Sequence, residues 1–249
     1  MADLQVVVSH HDRVVVRVGD IFLKIDASSA KTDLERRAMT AGAATVPVAA
    51  IEWCEPHVLA LARVHGRPLD DDCSSAAWRS AGAAARAIHE SPAPHGIRNV
   101  FVGADSLRWL TADREWFVAH PSVLDLDVFD RHHAVAVAGL EGRDVESVFL
   151  HGDLQAAHVF VDGDDVTGII DWADVSLDDP RFDLAVLTGG HPHRLDDVLA
   201  GYGEDRDVDR DVIAGWWSLR WLGEIRWMVE HGYDVTAKVA AVTALVGGR

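Results

Sequence analysis

The chain has 249 residues, of which 49% are hydrophobic and 25% charged, a composition typical of a folded globular protein and not of a disordered one. Its formal net charge of −17 would still be −3 if all 14 histidines were protonated (−17 + 14), so we expect no nucleic-acid partner, because like charges repel. The acidity suits a cationic small-molecule substrate, although solubility alone also explains it.

The same composition argues against a membrane protein. No apolar run approaches the ~20 residues that cross a bilayer, and the segment Met1–Leu4 lacks the basic and apolar parts of a signal peptide. We therefore expect no membrane partner and a cytoplasmic location. Cys54 and Cys73 match neither a metal spacing nor a disulfide framework, so both are predicted to be ordinary thiols.

The first quarter of the chain is predicted to form a small antiparallel sheet with one helix. Its strand segments are short and rich in β-branched residues, and Gly19-Asp20 is typical of a type II′ hairpin turn. Ser28-Ser29 is a suitable helix cap. The predicted strands are Leu4–Val8, Arg13–Val18, Ile21–Ile25, Val46–Ile51 and His57–Val64, and the predicted helix is Ala30–Thr40.

Beyond Gly66-Arg67-Pro68 the pattern changes to helices, interrupted by three strands. We predict an α+β fold with an N-lobe at residues 1–62, a linker at 63–68 and a mainly helical C-lobe at 69–249, a division typical of enzymes with a substrate cleft. The predicted helices are Ala76–Glu90, Ser106–Ala119, Leu124–Leu140 and Asp207–Leu245, and the predicted strands are Val148–Leu150, His158–Val161 and Val166–Asp171.

One pair of segments carries the residue types that phosphoryl transfer requires. This reaction needs a carboxylate to orient the acceptor hydroxyl, ligands for the metal ions on the phosphates, and a cation for the phosphates themselves. In protein kinases a metal-binding Asn follows the catalytic Asp by five positions, and a second Asp comes later. Here Asp153 is followed by His158 five positions on and by Asp171 eighteen positions on, so a hairpin could bring all three together.

The ordered set of motifs resembles the aminoglycoside phosphotransferase family. The matching residues are His-Gly-Asp-Leu at 151–154, Ile-Asp-Trp at 170–172 and Asp-Pro-Arg-Phe-Asp-Leu-Ala at 179–185. That family is related to choline, homoserine and fructosamine kinases and shares the two-lobed protein-kinase fold. The resemblance implies an ATP-dependent small-molecule kinase that uses Mg²⁺, with GTP as an open alternative, and antibiotic resistance as a role.

The resemblance also implies a role for each matched residue. Asp153 would be the catalytic base, and Asp171 the principal Mg²⁺ ligand. His151 would pack beneath the loop and hold it, and Asp183 would brace the loop from behind. The alternative is that these carboxylates only cap turns and helices, as Asp often does.

The N-terminal sheet provides an independent test of this interpretation. A kinase-like site expects a Lys on the third strand, paired with a Glu on the next helix, and Lys24 and Glu35 occupy these places. The alternatives are an exposed strand lysine and Asp33 as its partner. By the resemblance, the ATP purine would bind backbone groups of the segment that leads to the linker, Leu61 to Arg63; otherwise that segment is a plain edge strand and turn.

Two features depart from the family pattern. His158 stands where the family has Asn, and an imidazole nitrogen suits Mn²⁺ or other transition metals better than Mg²⁺. His158 could bind the metal directly, bind it through a water, or be structural. The loop Ser9-His10-His11-Asp12 contains no glycine, so it predicts no Gly-rich phosphate loop of the protein-kinase type.

The remaining clusters are given structural roles or left open. His132-His133 and His191-Pro192-His193 lack carboxylates or cysteines at ligand spacing, so we predict surface histidines. Four tryptophans recur at helical intervals and are expected in the core or in the wall of an acceptor pocket; they are Trp216, Trp217, Trp221 and Trp227. Three carboxylates could face an amine-bearing substrate or only solvent; they are Glu224, Glu230 and Asp234.

The sequence therefore predicts an ATP-dependent O-phosphotransferase that acts on a hydroxyl of a small, amine-bearing molecule. The main alternative is a pseudokinase that binds nucleotide or a ligand without transfer, for which His158 is the best support. A metal-dependent hydrolase is a third hypothesis, but it explains neither Lys24 nor the change from strands to helices. The identity of the acceptor is not encoded in these motifs.

Overall fold

The computed structural model describes residues 4–97, 103–143, 147–203 and 208–247. The strands are β1 (Leu4–Ser9), β2 (Arg13–Val18), β3 (Ile21–Asp26), β4 (Ile51–Glu55), β5 (Val58–Ala62), β6 (Arg67–Pro68), β7 (Val148–Leu150), β8 (Val159–Asp162), β9 (Asp165–Ile169) and β10 (Ser176–Asp178). The helices are α1 (Ser29–Gly42), α2 (Ser75–His89), α3 (Gly103–Ala119), α4 (Leu126–Leu140), α5 (Pro180–Thr188), α6 (Leu195–Tyr202), α7 (Arg210–Glu230) and α8 (Thr236–Gly247). Of the described helices, none combines the length and the apolar character that a membrane span needs.

The predicted fold class is confirmed: an antiparallel sheet forms the N-terminal region, and the C-terminal region is mainly helical. The chain divides into two compact units, Met1–Arg98 with Ser147–Arg206 and Asn99–Glu146 with Asp207–Arg249. These two units are a different division from the predicted lobes. The predicted limits 1–62, 63–68 and 69–249 therefore stay a prediction.

The N-terminal sheet has the strand order β1-β2-β3-β5-β4, with every neighbouring pair antiparallel. The predicted hairpin is present, since Val18 pairs with Ile21 across the two-residue turn. Strand alternation puts Phe22 and Lys24 on the same face, and Lys24 is buried although it is charged. The sheet therefore directs a lysine into the protein instead of into solvent.

One predicted strand is wrong. Of the segment Val46–Ile51, only Ile51 belongs to the N-terminal sheet, as the first residue of the edge strand β4. Pro47 has no N–H to give to a ladder, and its carbonyl instead accepts the N–H of Ile169 (2.9 Å). Val48 then forms a single parallel bridge with Ile169. The segment thus fixes the end of β9, close to Asp171.

Helix α1 packs on the turn that follows Asp171. A Cβ added at Gly42 would lie 2.4 Å from the Trp172 ring, so only glycine permits this approach. Trp172 is fully buried, and its indole N–H donates to the Ile169 carbonyl (3.0 Å). This contact sets the helix that carries Glu35 against the segment that carries Asp171.

The second unit is helical, and its structure corrects two predictions. The predicted helix Asp207–Leu245 is two helices, α7 and α8, since the chain turns at Gly232 (φ +78°). His132, predicted at the surface, is buried: its Nε2 donates to the Val242 carbonyl (3.0 Å), and Ser218 donates to Nδ1 (2.9 Å). Two of the four tryptophans, Trp216 and Trp221, are buried.

Candidate active site

The loop that begins with His151 follows β7 and turns sharply at Gly152. Gly152 has φ +81°, and a Cβ at this position would lie 1.9 Å from the Asp174 carbonyl oxygen. Both the backbone conformation and the space therefore require glycine. The turn holds the loop directly against the segment that follows Asp171.

Asp183, on α5, holds this loop from behind. Its buried carboxylate accepts the backbone N–H groups of His151 (2.8 Å) and Gly152 (2.9 Å). Burial alone would raise the pKa of Asp183, but the hydrogen bonds from His89 and from the loop outweigh it, so the pKa lies below its ordinary value. These are the contacts that a bracing role requires.

Two buried residues behind Asp183 carry no recognisable motif and were not predicted. His89, at the end of α2, has Nε2 3.1 Å from Asp183 Oδ2 and Nδ1 2.9 Å from the Tyr202 hydroxyl. An ionised carboxylate can only accept, so Nε2 carries the proton and the Tyr202 hydroxyl donates to Nδ1. A chain of three side chains from α6, α2 and α5 thus ends on the loop.

His151 lies fully buried beneath the loop. Its Nε2 donates to the Ile170 carbonyl (3.1 Å), and Nδ1 accepts the N–H of Asp153 (3.3 Å). Burial lowers the pKa of His151, which agrees with a neutral ring that has one donor and one acceptor. The ring connects the Asp153 turn to the strand that leads to Asp171.

Gln155 and His158 also contact Asp153. The Gln155 amide nitrogen donates to both carboxylate oxygens, at 2.9 and 3.1 Å. His158 Nδ1 lies 2.8 Å from the Asp153 backbone carbonyl, so Nδ1 carries the proton because a carbonyl only accepts. In the neutral ring the lone pair is then on Nε2, the arrangement common in metal-binding histidines.

Asp171 follows β9 in a left-handed conformation (φ +64°), which Asp tolerates better than most residues. Lys24 Nζ donates to Asp171 Oδ1 (2.7 Å). Burial alone would raise the pKa of Asp171, but the positive charge and hydrogen bond of Lys24, together with the charge of Arg13, outweigh it and hold the pKa well below its usual range. Asp171 is therefore an ionised carboxylate with cations on one side.

Lys24 is also paired with Glu35. Its Nζ donates to Glu35 Oε1 in a short contact, and the Glu35 side chain is completely buried. Burial raises the pKa of Glu35, against the opposing effect of Lys24. The competing candidate, Asp33, is about half exposed and binds Arg36 and Arg37 instead. The structure thus brings Lys24 together with Glu35 and not with Asp33.

A second cation, Arg13 at the start of β2, belongs to the same cluster and was not predicted. Its Nε donates to Asp26 Oδ1 (2.7 Å), and one terminal nitrogen donates to Asp171 Oδ1 (3.3 Å). The other terminal nitrogen lies 3.5 Å from Glu35 Oε2. A basic residue directly after the glycine-free loop is the only sequence feature that marks Arg13.

Leu61 and Arg63, the residues predicted to bind the purine, lie in different surroundings. Leu61 lies within β5, opposite Phe22 of β3, and is buried. Arg63 is exposed, and its backbone N–H already donates to the Asp20 carbonyl (2.8 Å). Nucleotide binding by Leu61 and Arg63 therefore stays a prediction.

The residues of the site fit a Mg²⁺–nucleotide better than a metal held by protein alone. Within the described residues, no group of three His, Cys, Asp or Glu side chains is arranged to hold a metal ion. Mg²⁺ is usually held by one or two carboxylates together with substrate phosphates and water. Asp171 would supply such a carboxylate, and metal binding by His158 Nε2, a nitrogen that suits Mn²⁺ better than Mg²⁺, stays a prediction.

The carboxylates considered for an amine-bearing acceptor have partners within the second unit. Lys238 Nζ donates to Glu224 (2.6 Å), and Arg226 Nε donates to Glu230 (2.9 Å). Asp234 caps the start of α8 through the N–H and hydroxyl of Thr236. Of the two interpretations, neutralised structural charges describe these residues better than a free anionic surface.

Comparison with known proteins identifies a family. The family model described as the phosphotransferase enzyme family (APH) matches residues 5–216. At the level of sequence, no curated protein matches the chain.

Solved structures of low sequence identity share the fold over almost the whole chain. A macrolide 2'-phosphotransferase type I has a TM-score of 0.68 at 21% identity, covering 99% of this chain and 91% of its own. The GDP and kanamycin complex of APH(2")-IIia gives 0.72 at 18%, covering 98% and 92%. A choline/ethanolamine kinase family protein from Mesorhizobium loti gives 0.66 at 18%, covering 98% and 87%.

Proposed function

The chain belongs to the phosphotransferase enzyme family (APH) and is a small-molecule phosphotransferase; we propose that it transfers the terminal phosphoryl group of ATP to a hydroxyl of its acceptor. The observation that carries this proposal is the Lys24 amine, which binds both Glu35 and Asp171. Phosphoryl transfer uses a fixed cation for the phosphates beside a carboxylate for the metal. Lys24 and Asp171 are suited to these two roles.

Each step of the reaction has a group in this site. The acceptor oxygen forms a bond to the γ-phosphorus while the bond from that phosphorus to the β,γ-bridging oxygen breaks, and ADP leaves. Asp153 orients the hydroxyl and receives its proton. Lys24 binds the phosphates, and Asp171 with His158 would hold the metal. A metal ion held there would supply positive charge that offsets the negative charge developing on the phosphates.

The buried groups around these residues keep them in place. Asp183 fixes the backbone of the loop, His151 connects the loop to the strand before Asp171, and Gln155 holds the Asp153 carboxylate. An enzyme gains from such preorganisation because the groups need no rearrangement in the transition state. The pseudokinase alternative does not account for this support of Asp153. A hydrolase that depends on protein-bound metal would need a fuller set of ligands.

The acceptor is proposed as a small hydroxyl-bearing molecule, and an amine on it fits the net charge of −17. The similar structures include macrolide and aminoglycoside phosphotransferases and a choline/ethanolamine kinase family protein. An antibiotic acceptor would make resistance the role, and an amino alcohol would make it metabolic. ATP is the proposed donor, with GTP as the alternative. The free thiols of Cys54 and Cys73 agree with a cytoplasmic location.

The experiment measures nucleoside diphosphate release with ATP or GTP across a panel of aminoglycosides, macrolides, amino alcohols and sugars. We expect Asp153→Ala to lower turnover of an active acceptor by about 10²–10⁴-fold while it still binds nucleotide. Asp127→Ala, which removes an exposed carboxylate at the start of α4, is the matched control and should keep full turnover. If Asp153→Ala turns over as fast as wild type, the proposed mechanism is wrong.

A further inference from the structure

Arg13 contacts three carboxylates that come from three different segments. They are Asp26 on β3, Glu35 on α1 and Asp171 after β9. The Arg13 side chain is only 16% exposed, which is unusual for an arginine. Its position is therefore built into the site and is not an accident of a surface side chain.

The charges of the cluster explain why a second cation is needed. Lys24 and Arg13 carry two positive charges, and Asp26, Glu35 and Asp171 carry three negative ones, so the net charge is −1 (2 − 3). Without Arg13 it would be −2. A more negative cluster would repel a polyphosphate, since buried charges are weakly screened.

The guanidinium has one strong anchor and two weaker contacts. Nε donates to the buried carboxylate of Asp26 at 2.7 Å, a distance typical of a charge-assisted hydrogen bond. The terminal nitrogens are further from their partners, 3.3 Å from Asp171 and 3.5 Å from Glu35. Asp26 therefore fixes the side chain, while the terminal N–H groups are able to exchange partners.

The loop before Arg13 is not of the Gly-rich phosphate-covering type. The loop Ser9–Asp12 contains no glycine and is followed at once by Arg13, the first residue of β2. In protein kinases a Gly-rich loop between these two strands covers the phosphates. A planar guanidinium, with two terminal N–H groups besides the Nε that binds Asp26, is the side chain best suited to bind phosphate oxygens in its place.

We propose that Arg13 is a second phosphate-binding cation, which moves its terminal N–H groups from Asp171 to the terminal phosphates of the bound nucleotide and stays anchored to Asp26. This inference rests on the proposed function, because it concerns the same nucleotide. It assigns to Arg13 a part of the binding that Lys24 does not supply. Release from Arg13 would also free Asp171 to bind the metal.

The test is calorimetric binding of adenosine, MgADP and MgATP to wild type and to Arg13→Gln. A phosphate-binding role predicts that the variant binds adenosine within about twofold of wild type but loses about tenfold or more in affinity for MgATP. A merely structural role would weaken all three ligands alike. Arg13→Lys keeps the positive charge but lacks the paired N–H groups of the guanidinium. We therefore expect a smaller loss of affinity than in Arg13→Gln, increasing from adenosine to MgADP to MgATP.

Arg17→Gln is the matched control. Arg17 lies on the same strand, and its Nε donates to the Gly19 carbonyl (2.8 Å), so the substitution removes the same charge outside the cluster. It should bind MgATP as wild type does. Equal MgATP affinity in wild type and both Arg13 variants would overturn the inference about Arg13 but not the proposed function. A wild type that binds neither MgATP nor MgGTP would overturn the proposed function itself.

Discussion

Lys24 and Asp171 are 147 residues apart in the sequence, yet the Lys24 amine lies 2.7 Å from the Asp171 carboxylate. The same amine binds Glu35, whose side chain is completely buried. The lysine therefore joins a strand, a helix and the segment that follows the catalytic loop. The stability of this region and its chemistry depend on the same three groups.

Replacing Lys24 should destabilise the fold strongly. Lys24→Met leaves the Glu35 carboxylate buried without its nearest cation, and breaking a buried pair on one side typically costs about 3–5 kcal/mol. Chemical denaturation measures the free energy of unfolding. Adding Glu35→Gln to the variant should restore part of the loss.

Lys31→Met is the control for that experiment. Lys31 pairs with Asp12 at the surface, where both side chains are well exposed, so its loss should cost no more than about 1 kcal/mol. A Lys24→Met variant that is only as unstable as Lys31→Met would contradict the structural role assigned to the pair.

Gly152 should not tolerate a side chain. Gly152→Ala would bring the new Cβ within 1.9 Å of the Asp174 carbonyl oxygen at a positive φ, so the loop that carries Asp153 must move. We expect loss of turnover and a fall of about 3 kcal/mol or more in unfolding free energy. Gly163→Ala has a similar φ (+61°) but open space around it, and should cost only about 1 kcal/mol. If both variants lose the same unfolding free energy, the positive φ alone explains the cost, and the close approach to the Asp174 carbonyl does not contribute.

His158 should influence which metal supports turnover. Because Nδ1 donates to the Asp153 carbonyl, the Nε2 lone pair is available to a metal, and imidazole favours Mn²⁺ over Mg²⁺ relative to an amide oxygen. We expect His158→Asn to raise the ratio of Mg²⁺- to Mn²⁺-supported turnover several-fold. His191→Asn, on a histidine bound to Asp71, should leave the ratio unchanged. If the ratio is the same in wild type and His158→Asn, the metal role is wrong.

His132 should make stability depend on pH. Burial lowers its pKa in the folded protein, so the unfolded chain takes up a proton first as the pH falls below about 6.5. The contribution of His132 is complete above that pH and is lost progressively below it, with a slope of at most about 1.4 kcal/mol per pH unit. His132→Gln should flatten the dependence measured by denaturation between pH 5 and 7. The neighbouring His133→Gln should retain the wild-type slope, and a slope in His132→Gln as steep as that of wild type would refute the assignment.

The sequence by itself determined the family, the strand that carries Lys24 and the spacing of Asp153, His158 and Asp171. These features are local: strand alternation, turn residues and short motifs depend on neighbours along the chain. The strand predicted at Val46–Ile51 failed for the complementary reason, since its pairing with Ile169 is made far away in the sequence.

Only the tertiary structure decided which side chains support the site. It paired Lys24 with Glu35 instead of Asp33, set His89 behind Asp183, and brought Arg13 to Asp171. Each of these contacts joins residues from different segments of the chain. A buried carboxylate needs a charged or hydrogen-bonding partner, and packing determines which partner is near enough. Packing between distant segments produces no periodic pattern in the sequence, so these pairings could not be decided from it.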